Sequence, residues 1–317
     1  MPLLSVENLS IGYRTRKGFI QSVEGVSFSL NRGKSLGFVG ESGCGKTTIG
    51  MAMMRLLPAN ASVTQGRIMF DGRDILKIPE EEMRRIRWKS IAMIFQSAMN
   101  ALNPVKRVGE QIIEAIIAHD PEISMASATR KVEQLFDLVG ITTGRVRDFP
   151  HNYSGGMKQR VVIAMALACN PALIIADEPT TALDVIVQSQ ILNAIKELQK
   201  ELEISLIFIS HDIAVVADVC DSIIIMYAGQ MVEFGKREEV FTAPMHPYTK
   251  GLLASYLTLD GEKAQPMPYS GDTANPINPL QGCRFCDRCP VSDPECSLTQ
   301  PVWIEISPTH KVRCSQC

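Results

Sequence analysis

The stretch "GESGCGKTT", Gly40–Thr48, decides the fold of this 317-residue chain. It fits G-x-x-x-x-G-K-[ST] and sits where that pattern needs to be. The apolar run "SLGFVG" before it reads as a buried strand, and "TIGMAMMRLL" after it reads as a helix. Glycines let backbone N–H groups curl round phosphate oxygens, and the helix N-terminus adds partial positive charge. Gly40, Ser42, Gly43, Cys44, Gly45 and Thr48 form the expected cradle. Lys46 neutralises β/γ-phosphate charge, and the Thr47 hydroxyl reaches Mg²⁺. Cys44, beside Lys46 and a helix N-terminus, is expected to be a reactive thiol that bound nucleotide shields.

Outward from this loop the chain alternates. "IAMIFQ", "ALIIADE", "SLIFISH" and "SIIIMYAG" are buried-strand runs, each followed by a helical pattern, which implies a parallel α/β core. The first ~75 residues carry short alternating segments with turns, as in an antiparallel sheet. Between Gln96 and Pro150 the pattern is mainly helical, as in "VGEQIIEAIIAH" and "ATRKVEQLFDLVG". From about Ala243 Pro and Gly rise, which reads as a loop-rich linker. "PEEEMRRIRWK" places acids before bases, as a short surface helix prefers. "ALIIADEP" is a strand ending in two acids: Asp177 to hold Mg²⁺, directly or through water, and Glu178 to orient or deprotonate the attacking water.

Composition is that of an ordinary globular protein, 45% hydrophobic and 21% charged. A formal net charge of −2 argues against nucleic-acid binding through bulk charge. "MPLLSVENLS" has neither a basic start nor an apolar core, so it does not read as a secretory signal. The longest apolar stretch, Val161–Ala176, is broken at Asn170-Pro171 and is too short to span a bilayer. These features indicate a cytosolic or peripheral membrane protein, a reducing setting that disfavours disulfides.

"YSGGMKQR", Tyr153–Arg160, adds a second phosphate-binding junction, with Ser154, Gly155 and Gly156 opening a helical run. Here the sequence resembles the ATP-binding cassette (ABC) family, whose signature begins LSGGQ. Tyr153 stands in place of Leu and Met157 in place of Gln, while the phosphate-facing Ser-Gly-Gly is intact. The resemblance continues in family order. Gln96 matches the Q-loop glutamine, which reaches the metal and senses the membrane partner. "TALD", Thr181–Asp184, matches the D-loop, which sets Asp184 at a dimer seam. His211 in "ISHD" matches the switch histidine at the γ-phosphate, and Tyr13 lies where the family stacks an aromatic ring on adenine. His119, His151 and His310 are read as ordinary satisfied side chains. The resemblance implies a P-loop NTPase with a RecA-like parallel core, an antiparallel β subdomain and an inserted helical subdomain. The nucleotide-binding domain spans 1–242, with the helical subdomain at about 97–160; a linker region spans 243–282, and a small Cys-rich tail spans 283–317.

A narrower resemblance covers nearly the whole chain. "IFQSAMNALNPVKRVGEQIIEAI", "HPYTKGLLASYL" and a C-terminal Cys set are similar to ATPase subunits of dipeptide/oligopeptide importers, a family that includes nickel importers. The family spacing C-x5-C-x6-C-x17-C is met by Cys283, Cys289, Cys296 and Cys314, with Cys286 and Cys317 extra. This implies a [4Fe–4S] cluster; paired C-x2-C knuckles leave zinc as the alternative. It further implies ATP hydrolysis coupled to peptide uptake, with nickel or oligosaccharide as alternative cargo. The implied partners are a second, different ABC ATPase, two permeases and an extracytoplasmic binding protein, on the cytoplasmic face of the plasma (inner) membrane. A soluble ABC ATPase acting on DNA or ribosomes is the competing class. Its repair members carry a long coiled coil where this chain has about 110 residues between loop and signature, and its translation factors carry two cassettes. A P-loop kinase would not need Ser-Gly-Gly.

Overall fold

The computed structural model describes residues 1–96, 101–181, 183–255, 274, 277 and 279–317. In chain order it begins β1 (Leu4–Thr15), β2 (Gly18–Leu30), β3 (Ser35–Val39), α1 (Lys46–Met53), β4 (Ala61–Phe70), β5 (Arg73–Asp74), α2 (Glu80–Ile86) and β6 (Ile91–Ile94). Then follow α3 (Val108–His119), α4 (Met125–Leu138), α5 (Gly155–Leu167), β7 (Leu173–Asp177), α6 (Val185–Glu201), β8 (Ser205–Ser210) and α7 (Ile213–Val219). The chain closes with β9 (Ser222–Tyr227), β10 (Gln230–Lys236), α8 (Arg237–Thr242), α9 (Pro247–Ala254), α10 (Pro294–Leu298), β11 (Trp303–Ser307) and β12 (His310–Arg313). No helix among the described residues is long and apolar enough to cross a membrane.

Two compact units result. The first comprises Met1–Asn31, Ser35–Leu76 and Phe208–Cys317. Its antiparallel sheet runs β2-β1-β4-β5, and period-2 alternation along β2 sends Val26, Phe28 and Leu30 inward. Its other sheet runs β11-β12-β10-β9-β3, with β3 and β9 parallel from Leu36↔Ser222 to Val39↔Ile225. Every residue of β3 is buried, as an unbroken apolar strand covered on both faces requires. α7 lies so close to it that a Cβ on Gly37 would stand 2.0 Å from Val216 Cγ1. β3 thereby fixes where the Gly40–Thr48 loop starts, and α1 fixes where it ends.

The second unit comprises Arg32–Lys34 and Lys77–Ile207. β6 and β7 pair in parallel from Ile91↔Leu173 to Ile94↔Ala176. Amphipathic α3 and α4 bury Val108, Ile112 and Ile116, and Val132, Leu135 and Phe136. The Trp88 indole N–H donates to the Met165 carbonyl at 2.6 Å, tying the end of α2 to α5. α2 itself carries Glu80, Glu81 and Glu82 in its first turn and Arg84 and Arg85 in its last, as its sequence predicts.

One expectation about the C-terminal third is corrected. The region 243–282 opens not as a loop-rich linker but as α9, whose Tyr248 and Thr249 are fully buried. Proline sits at the first position of this helix, where its missing N–H costs nothing, so this proline marks a helix start. The tail has buried positions of its own. β12 pairs antiparallel with β10 (Glu233↔Val312), and Phe285 and Val312 are 1% and 0% exposed. Residues 97–100 after Gln96, Ala182 of "TALD" and the end of "HPYTKGLLASYL" lie outside the described residues.

Gly37→Ala is expected to destabilise the protein by about 1–3 kcal/mol through overpacking against Val216. Adding Val216→Ala should recover part of that loss, so the double variant is less destabilised than the sum of the singles. Denaturant unfolding of the four proteins checks this.

Candidate functional site

In the first unit the phosphate loop closes around its own lysine. Lys46 is 5% exposed, and its Nζ donates to the Gly40 carbonyl at 2.6 Å and the Glu41 carbonyl at 3.0 Å, with Cys44 Sγ 3.6 Å away. Gly45 has φ 100°, and a Cβ there would stand 2.5 Å from the Ser22 carbonyl, so only glycine fits. Gly40 likewise passes 2.1 Å (Cβ position) from the Met226 carbonyl. Tyr13 belongs to this group: its hydroxyl is 3.2 Å from Thr48 Oγ1, which also lies 3.4 Å from Ser22 Oγ. A cleft of ≈ 220 Å³ opens beside Ser42, Gly43 and Cys44, lined also by Ile20, Gln21 and Arg284. Ser42 and Gly43 face this cleft and Thr47 lies in the first turn of α1.

Cys44 corrects an expectation. It is 4% exposed, and burial pushes its thiol pKa up even though neighbouring Lys46 pulls the other way. Desolvation of the thiolate outweighs the adjacent cation, so Cys44 is a small apolar filler of the loop rather than an activated nucleophile.

The second unit collects the carboxylates and the signature. Asp177 ends β7 and is 1% exposed. Glu178 follows with φ 46°, a left-handed conformation that a non-glycine residue adopts at a cost of order 1–3 kcal/mol. Its Oε2 accepts from Gln96 Nε2 at 2.9 Å and Thr181 Oγ1 at 3.0 Å. Ser154 caps α5 by accepting from the Met157 N–H, which leaves the Gly155 and Gly156 amides at the helix start. Gly156 has no room for a side chain: a Cβ would lie 2.6 Å from Val187 Cγ1. Asp184 caps α6 by accepting from that same Val187's N–H at 2.9 Å. Tyr153, the departure from the family signature, buries its ring and donates its hydroxyl to the Arg145 carbonyl at 2.5 Å; burial raises its pKa to about 12.

His211 lies in the first unit, in the turn between β8 and α7, where Asp212 caps α7. Of the other four histidines, His310 Nε2 meets Glu233 Oε1 at 2.7 Å, His151 stacks on Phe149 at 5.7 Å, His119 lies 6.5 Å from Trp88, and buried His246 caps α9 by accepting from the Tyr248 N–H at 3.1 Å.

In the tail, Cys283, Cys286, Cys289, Cys296 and Cys314 line one small cavity. No disulfide joins them. Cys317 does not line it; this residue is exposed, with its Sγ 3.2 Å from the Met245 carbonyl. A hydrogen bond from Cys317 lowers the Cys314 pKa to about 6, whereas burial and Asp287 push Cys286 up to about 11. Among the described residues no three His, Cys, Asp or Glu side chains are arranged for a single metal ion.

Sequence reasoning misses the shell behind the phosphate loop. Glu41 is gripped by both terminal nitrogens of Arg288, at 2.9 and 3.0 Å, and its N–H donates to the Tyr248 hydroxyl at 3.0 Å. Arg284 binds the Ala228 carbonyl and the Glu24 carboxylate. The sequence signals are "HPY" and the arginines between the cysteines, but nothing in their spacing names a partner hundreds of residues away.

Comparison with known proteins agrees with this geometry. The ABC transporter family profile matches residues 23–181, and that of the oligopeptide/dipeptide transporter C-terminal region matches 232–296. The dipeptide transport ATP-binding protein DppD of Bacillus subtilis is 46% identical over 315 residues, 98% of this chain and 94% of its own. The oligopeptide transport ATP-binding protein OppD of Escherichia coli is 44% identical over 302 residues, 95% and 89% of the two chains. Among solved structures, the ATP-binding cassette MJ0796, a dimer bound to ADP and Pi, superposes with TM-score 0.67 at 26% identity, over 74% of this chain and 98% of its own. CbiO1 of Clostridium perfringens gives TM-score 0.65 at 29% identity, over 76% and 91%. The chain therefore belongs to the ABC transporter family, within its dipeptide and oligopeptide transport ATP-binding proteins.

Proposed function

We infer that the protein is the ATP-hydrolysing subunit of an ABC importer for dipeptides or oligopeptides. The observation that carries the chemistry is Glu178, set in a left-handed turn directly after Asp177 with its carboxylate held by Gln96 and Thr181. A carboxylate fixed this way is positioned to orient the attacking water and take its proton. Lys46 and the loop amides hold the β/γ-phosphates. Thr47, Gln96 and Asp177 are the residues that would hold Mg²⁺, which supplies charge neutralisation at the transferred phosphoryl group. His211 would contact the γ-phosphate and Tyr13 would stack on adenine. The Ser154–Gly156 amides and Asp184 would complete the site of a second ATPase subunit, as the dimeric cassette MJ0796 suggests. Nucleotide closes that dimer and hydrolysis reopens it, driving two permeases fed by an extracytoplasmic binding protein. The protein accordingly works peripherally, on the cytoplasmic face of the membrane.

The cysteine tail supports a resident metal group. Five thiols line one cavity, a donor set of the kind an iron–sulfur cluster takes, although no three of them are arranged for a single metal ion. Cys283, Cys289, Cys296 and Cys314 are the four whose spacing runs C-x5-C-x6-C-x17-C, and all four line that cavity. That coincidence favours a [4Fe–4S] cluster on these four thiolates, with zinc the competing occupant. The contribution of either group is to fix the fold of the tail.

Glu178→Gln should retain MgATP binding while hydrolysis in the assembled transporter falls by at least ~10²-fold. Steady-state turnover near the wild-type rate overturns the assignment.

Anaerobic purification should yield a brown protein with about four irons per chain and broad absorbance near ~400 nm. Cys289→Ser should lose the iron and Cys286→Ser should keep it. One zinc per colourless chain overturns the cluster, and iron loss on Cys286→Ser overturns the choice of ligands.

A further inference from the structure

Two arginines of the cysteine tail reach the phosphate loop, and the nucleotide chemistry above uses neither. Arg288 ends a 3₁₀ turn at Cys286–Arg288, and Arg284, next after Cys283, precedes that turn. The Arg288 guanidinium, 10% exposed, forks onto the Glu41 carboxylate, and its Nη1 is also 3.3 Å from the Tyr227 hydroxyl. Planar bidentate pairing fixes a carboxylate in direction as well as distance.

Glu41 is the second residue of the phosphate loop, and its polar groups are all engaged. The carboxylate is on Arg288, the N–H donates to Tyr248, and the carbonyl accepts from Lys46 Nζ. Tyr248, Tyr227 and Phe285 form one buried aromatic cluster, with ring centroids 4.9–5.4 Å apart, which joins α9, β9 and the tail. Arg284 gives a second tie. It donates to the Ala228 carbonyl, and the next residue, Gly229, donates its N–H to the Cys44 carbonyl at 3.1 Å.

We propose that Arg288 is a positioning residue for nucleotide: through Glu41 it braces the phosphate loop, so that the cysteine tail sets the loop's affinity for MgATP. A loop of glycines has many conformations, and each must be given up when phosphate binds. Holding Glu41 from outside removes part of that loss before nucleotide arrives. The alternative role for the Arg288–Glu41 pair is attachment only, fastening the tail to the body. The two differ in what they change. Attachment alters stability; bracing alters nucleotide affinity in a protein that is still folded. The proposal rests on the P-loop as the nucleotide site and is independent of what the thiols hold.

The test is photolabelling of this chain with 8-azido-ATP in the assembled transporter, titrated under non-hydrolysing conditions, so that the partner ATPase is resolved by mass. Arg288→Ala should raise the half-saturating concentration about ten-fold, the loss of one charge-assisted pair. Turnover at saturating ATP should stay within about two-fold, because no transition-state contact is removed. Arg288→Lys, which keeps the charge but not the fork, should fall between the two. Glu41→Gln should reproduce the Arg288→Ala shift, and the double variant should add nothing to either. Melting temperature and tail metal content are followed throughout. Unchanged half-saturation in folded Arg288→Ala, or additive effects of Glu41→Gln and Arg288→Ala, overturns the proposal. Where Arg288→Ala does not fold, wild-type half-saturation in Arg288→Lys overturns it. A loss of labelling in wild type as well would instead remove the P-loop assignment.

Discussion

The buried ammonium of Lys46 is the constraint on which the first unit depends. A cation withdrawn from water needs acceptors around it, or its desolvation is uncompensated. Here the acceptors are the Gly40 and Glu41 carbonyls of the same loop. For carbonyls to turn inward on the lysine, the loop must curl tightly and send its N–H groups the other way. That curl needs left-handed backbone at Gly43 and Gly45, with φ 82° and 100°. It also needs β9 to pass so close that Gly40 has no space for a Cβ. The start of α1 and the glycines at 40, 43 and 45 all serve this one buried charge.

The second unit obeys a different constraint, the strained turn at Glu178. β7 is buried along its whole length, so the chain must leave it abruptly to present a carboxylate. The left-handed turn does this, and the hydrogen bonds from Gln96 and Thr181 stabilise the side chain where the strain has put it. The signature and the start of α6 share a similar economy. Val187 fills the space above Gly156, and its N–H is the group that Asp184 caps. A larger residue at either position would separate the two helix starts.

What can be read in the sequence is local chemistry. Glycine spacing, paired acids at a strand end and a capped Ser-Gly-Gly each express their function within a few residues. The strand and helix that flank the phosphate loop, the acids at the end of β7 and the capped start of α5 are therefore legible as local structure. The Cys44 thiol is not, because its titration is set by burial, which the motif does not encode. The C-terminal third misleads for a related reason. Proline and glycine content suggests a linker, yet Tyr248 and Phe285 are core residues whose partners lie on distant strands. The Arg288–Glu41 pair spans 247 residues of chain. No periodicity or spacing rule connects two such positions; only the fold does.

The tail's spacing separates its thiols from its arginines. Backbone bonds from Cys286 N–H to the Cys283 carbonyl, from Arg288 to Phe285 and from Cys289 to Cys286 wind this stretch with an i to i+3 pattern. In such a turn, side chains three apart eclipse one another. Cys283, Cys286 and Cys289 therefore fall on one side and line the same cavity. Arg284 and Arg288, at the intervening positions, are directed away from it, towards Ala228 and Glu41. Phe285 sits between them as the hydrophobic anchor, 1% exposed. The thiols of Cys283, Cys286 and Cys289 thus face the cavity, while Arg284, Phe285 and Arg288 make their contacts elsewhere. The cysteine spacing is in this way also a spacing of arginines.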